Sequence, residues 1–159
     1  MKKRGQLLSE PLVLVFALIV GAMILMWGMY YVLKLKDVGE SVEISTFISN
    51  LRKDVDSFYY LDEGSSKIIN IRLLSKIDYV CFKGSGSFNN QQILAKYPEF
   101  DFIFENNDKN IFFLPLDAYR VTIYNIENLR STGLNPLCFN NGEKAKLTTK
   151  ATYVEISSR

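Results

Sequence analysis

The chain has 159 residues, a formal net charge of +2, 48% hydrophobic residues, two cysteines and no histidine. That length leaves room for one membrane helix and one modest domain. The near-balanced charge provides no basic stripe to track phosphates, so nucleic acid is not an expected partner. Without histidine the commonest metal ligand and the usual general base are missing.

The chain opens with Met1-Lys2-Lys3-Arg4-Gly5-Gln6-Leu7-Leu8-Ser9-Glu10, and from Pro11 to Leu33 no side chain is charged. As a helix rising about 1.5 Å per residue, this run is long enough to cross roughly 30 Å of hydrocarbon. It is longer than the apolar stretch of an ordinary secretory signal, and Tyr30-Tyr31-Val32-Leu33-Lys34-Leu35-Lys36 supplies no small-residue cleavage site. Trp27, Tyr30 and Tyr31 gather at one end as interfacial aromatics do, and Lys34 and Lys36 can snorkel to headgroups. Residues 11–33 are therefore expected to stay in the protein as a span in contact with membrane lipid. Lys2, Lys3 and Arg4 outweigh Lys34 and Lys36, which places the N-terminus in the cytoplasm and the rest of the chain outside. Ala17, Gly21 and Gly28 share one helix face, where small residues allow close helix approach; small residues are also common in membrane helices generally.

Beyond the span, Val38, Val42, Ser45, Ile48, Leu51, Val55 and Phe58 recur every three or four positions among charged residues. This predicts an amphipathic continuation of the helix, ending by Leu61-Asp62-Glu63-Gly64. Strands are expected over Ile68–Leu74, Ile77–Phe82, Phe100–Phe104, Ile111–Leu116, Tyr119–Ile123, Leu137–Phe139, Ala145–Thr148 and Thr152–Ile156. Asn140-Asn141-Gly142 reads as a hairpin turn, Asn89–Tyr97 as a short helix, and Asn128–Asn135 as a loop. Gly84-Ser85-Gly86-Ser87 lacks the lysine and spacing of a phosphate loop. The aromatics Phe82, Phe88, Phe100, Phe102, Phe104, Phe112 and Phe113 are read as core rather than as a ligand platform. The expected fold is α+β: a leader at 1–5, a long helix at 6–62, and a small, mostly antiparallel β-sheet head at 65–159 packed on the amphipathic half.

Cys81 and Cys138 sit in similar contexts, Val80-Cys81-Phe82 and Leu137-Cys138-Phe139. In an exported domain they are most simply one disulfide, contributing about 3–4 kcal/mol by loop closure. The alternative is two small buried residues, each on its own strand. No CxxC spacing points to metal or redox work. No nucleophile stands beside a base, and no HExxH or paired-carboxylate motif occurs, so neither an enzyme nor a cofactor is expected.

A basic start, Gly5-Gln6, the carboxylate Glu10 and then an uninterrupted apolar helix together resemble the class III signal peptide of type IV pilins, most closely the pilin-like proteins of archaea. The resemblance covers residues 2–35 by motif and the remainder by general layout. It implies a cut between Gly5 and Gln6 by a prepilin-type signal peptidase, with the helix kept as a filament core. Removal of Lys2, Lys3 and Arg4 would change the formal charge from +2 to −1. Glu10 would then lie fifth in the mature chain. A carboxylate at the edge of hydrocarbon costs a few kcal/mol unless satisfied. The α-amine of Gln6 from a neighbouring copy would satisfy it and fix axial register. Alternatively, Glu10 sits among headgroups and favours the helix start through the dipole. Two function classes carry weight. One is a filament subunit that assembles with other copies or related subunits. The other is an uncut, singly anchored binding module.

Overall fold

The computed structural model describes the backbone of residues 9–158 and the side chains of residues 11–34 and 42–158. Gly5 and Gln6 lie outside the described residues. Helix α1 (Ser9–Tyr59) contains 51 residues, with Pro11 in its first turn, where a missing N–H costs no helix hydrogen bond. The chain forms two compact units that meet between Glu40 and Ser41. Within the first, Pro11–Lys34 is a 24-residue stretch long and apolar enough to cross a membrane. Its large side chains are exposed, Leu25 at 76% and Trp27 at 69% among them. Such exposure is costly in water and ordinary in lipid.

The second unit begins at Ser41 with the rest of α1. It continues through β1 (Ser66–Asn70), β2 (Tyr79–Phe82), α2 (Gln91–Lys96), α3 (Phe100–Glu105), β3 (Ile111–Leu114) and β4 (Ile123–Tyr124). It closes with β5 (Leu129–Ser131), β6 (Leu137–Asn140), β7 (Lys144–Thr149) and β8 (Val154–Ser158). Where one small sheet was expected, there are two four-stranded sheets, β1-β7-β8-β5 and β4-β3-β2-β6. Among the named strands all pairings are antiparallel except β5 with β8, which is parallel, and Gly84 adds an isolated parallel bridge to Ser131. The expected turn holds: Gly142 sits at φ +84° between β6 and β7. These two strands belong to different sheets, so the turn is a corner of the sandwich rather than a hairpin within a ladder.

The main core lies between the sheets and includes α1. Ile44, Ile48, Leu51 and Val55 of the helix meet Val80, Phe82, Ile111, Phe113, Leu147 and Ile156 of the strands. The buried stripe therefore starts at Ile44, whereas Val42 and Ser45, assigned to it by spacing, are exposed, and the Val38 side chain lies outside the described residues. A second core covers the other face of β2 and β3, where Cys81, Phe112 and Leu114 pack on Ile93, Phe100 and Phe104. In order, the layers of this unit are the β1-β7-β8-β5 sheet, the main core, the β4-β3-β2-β6 sheet, the second core and α2–α3.

The largest correction is α3. Phe100, Phe102 and Phe104 alternate with polar residues, as in a strand, yet the segment is helical. Phe100 and Phe104 are one turn apart and both 1% exposed, whereas Phe102 is 72% exposed and so not core. The second core needs a cover two aromatics deep, and a helix presents i and i+4 to it. Three corrections are smaller. The first expected strand stops at Asn70, and Tyr119–Ile123 contributes to strand only at Ile123. The expected loop at 128–135 holds β5, placed by its parallel pairing with β8.

Candidate functional site

The sequence directs attention first to the N-terminal half of α1. Glu10 lies in the first helical turn by backbone; its side chain is outside the described residues. Ala17, Gly21 and Gly28 are all helical, at steps of four and seven. A Cβ added at Gly21 or Gly28 would meet nothing within 4 Å, so neither glycine is required by packing inside this chain. At the far end Tyr30 and Tyr31 make an edge-to-face pair with centroids 5.9 Å apart, and both rings are exposed. An apolar surface bounded by Trp and Tyr has the profile of a helix seated in lipid or against other apolar helices.

Cys81 and Cys138 are joined in a disulfide. They are directly opposed on the antiparallel neighbours β2 and β6, so the ladder that pairs Tyr79 with Asn140 also aligns the two sulfurs. Cys81 is fully buried and belongs to the second core. The bridge thus sits beneath the α2–α3 cover, and it fits an oxidising, extracytoplasmic compartment.

In the second unit a cavity of about 480 Å³ opens between α1 and the segment following β1. Ile44, Phe47, Leu51 and Leu73 form apolar walls, with Glu43 and Arg72 among the polar groups. Its size is within the range of small-ligand clefts. Lys67 donates to Asp54 on its border at 2.7 Å. No group of three His, Cys, Asp or Glu side chains able to hold a metal occurs among the described residues.

Two polar clusters were not anticipated. Asn135 is 3% exposed and organises the Gly84–Ser87 loop. Its Oδ1 accepts from the Gly84 amide at 2.8 Å, and its Nδ2 donates to the carbonyls of Gly86 at 2.6 Å and Ser87 at 3.3 Å. Asn89 and Asn135 also exchange two bonds of 2.6 Å, Asn89 N–H to the Asn135 carbonyl and Asn135 N–H to Asn89 Oδ1. Gly84 is required by close approach: a Cβ there would lie 2.6 Å from the Ser131 carbonyl oxygen. The sequence signals were the Asn-Pro and Gly-Ser-Gly-Ser turn composition, which marks loops without naming their partners.

The second cluster pins α2 to β2. Lys96 Nζ donates to Asp78 Oδ2 at 2.7 Å, and Tyr97 Oη donates to the same oxygen at 2.6 Å. Lys96 also lies 4.9 Å from the Tyr79 ring centroid. The Lys96 hydrogen bond, then that of Tyr97, holds the Asp78 carboxyl below its ordinary pKa. Burial, reinforced by the bond to Asp78, pushes the Tyr97 phenol up to about 12.

Comparison with known proteins finds no family model, no curated protein and no solved structure that matches this chain.

Proposed function

We propose that this chain is a structural subunit, a pilin or pilin-like protein, of a surface filament. It is cut between Gly5 and Gln6 by a prepilin-type signal peptidase and assembles through its apolar helix. The observation that supports the reading best is the combination within α1: an exposed apolar stretch of 24 residues precedes a half buried by Ile44, Ile48, Leu51 and Val55 in a disulfide-bonded head. A plain anchor needs the first part only. Before assembly, lipid covers the span; afterwards the spans of neighbouring copies do so, with Gly21 and Gly28 permitting close approach. The N-terminus lies in the cytoplasm and the head outside. Glu10 sets axial register by pairing with the Gln6 α-amine of a neighbour, since a half-satisfied charge in a dry core is strongly penalised.

The test is Glu10→Ala in the native host, with filament yield and membrane content measured together. The reading predicts normal membrane levels and markedly reduced filament yield; undiminished yield contradicts the register role. The cavity beside Phe47 and Leu73 favours a second reading, a singly anchored binding module. On that reading the protein is found only as uncut monomer in the membrane.

A further inference from the structure

The two outer layers of the second unit carry opposite charge. On the β1-β7-β8-β5 sheet, Ala145 and Leu147 point into the core and Lys144 and Lys146 point outward. Arg130 of β5 points outward too, stacked on Tyr153 at 5.2 Å. Register places Lys146 beside Ile68, which is 49% exposed, and Arg130 opposite Glu155. Glu155 is already engaged by Lys150 at 3.2 Å and by the Thr132 hydroxyl, which holds its carboxyl below the ordinary pKa. Among the described residues no ion pair reaches Lys144 or Lys146.

On the far side of the same unit, α3 turns outward a phenylalanine within an acidic stretch of sequence. Phe102 is 72% exposed, with Glu99, Asp101, Glu105 and Asp108 close in sequence and Lys109 the one cation within that stretch. The Lys83 ammonium nearby is occupied by the carbonyls of Phe104 and Asn107, at 2.6 and 2.7 Å. An apolar centre inside a charged rim is the usual anatomy of a protein contact. The basic sheet has a counterpart: Ile68 on the edge strand β1 stands beside Lys146 of β7, with Lys144 two residues along β7 and Arg130 on β5 at the opposite edge of the sheet.

We infer that the α3 face of one copy docks on the outer β1-β7 face of a second copy, with Phe102 set against Ile68 and the carboxylates against Lys144 and Lys146. The two faces differ and lie on opposite sides of the unit, so the contact is heterologous and repeats from copy to copy rather than pairing two copies about a two-fold axis. The inference rests on the filament reading and assigns it a head-to-head contact independent of the apolar spans.

The test uses the full chain in its own host, with the photo-reactive p-benzoylphenylalanine at position 102. The expected product is a covalent dimer whose linked peptide contains residues of β1 or β7 from another copy. Lys144→Glu with Lys146→Glu should lower that product roughly tenfold, since like charges then face each other, and adding Glu99→Lys with Glu105→Lys should restore it. Filaments that form with no such adduct, or with adducts only to lipid, another protein or another part of the chain, overturn the contact and leave the filament reading standing. Absence of any multi-copy form in unsubstituted cells overturns both.

Discussion

Asn135 shows how one side chain can fix a loop made of small residues. Its amide satisfies Gly84, Gly86 and Ser87, none of which lies in a named strand, although Gly84 also bridges Ser131. Asn135→Ala should destabilise the head by about 2–3 kcal/mol, because buried donors and acceptors are left unmade. Denaturant unfolding of a soluble head fragment starting at Ser41 would measure it, and a loss below about 0.5 kcal/mol would contradict the network. The Asp78–Lys96–Tyr97 cluster makes a pH prediction. Asp78 is depressed in the folded state, so its contribution is present above the unfolded carboxylate pKa and lost as pH falls through the lower folded value. Tyr97 is raised to about 12, so the folded state holds its proton more tightly, and stability falls as pH rises from the unfolded value near 10 toward 12. Tyr97→Phe should remove that alkaline loss; an unchanged alkaline limb would refute the assignment. Asp78 and Lys96 are well exposed, so the pair itself adds little.

Among the elements, α3 best separates pattern from packing. Phe104→Ala should cost about 3–5 kcal/mol and Phe102→Ala almost nothing to an isolated head, because only the first ring is buried. Equal losses at both positions would fit a strand instead, since residues i and i+2 of a strand share one face. The alternation Phe-Asp-Phe-Ile-Phe-Glu is compatible with either period over six residues, and a segment that short is decided by what it covers. By contrast, the sequence alone locates α1, because 51 residues offer many turns over which a pattern can repeat. Its apolar run, the Asn-Gly turn and the short helix α2 were legible for the same local reasons. Strand β5 was not, since it exists only through its parallel partner β8, distant in sequence. The cysteines were legible as a pair, but their alignment depends on the β2–β6 register. Reducing the bridge, which spans 57 positions, should lower head stability by up to about 4 kcal/mol on the chain-entropy model. Equal stability with and without reductant would show that the ladder alone suffices.

For the molecule as a whole, the exposed apolar span and the disulfide-bonded head call for different surroundings, lipid or packed helices for one and an oxidising aqueous space for the other. The filament subunit proposed above would meet both needs, and on that proposal the basic leader is removed while the span is kept. Intact-mass analysis of this chain in material sheared from the cell surface tests that most directly. The account predicts a species beginning at Gln6 and two mass units lighter than its reduced form. A chain still beginning at Met1, recovered from the membrane fraction and never from sheared material, would contradict it.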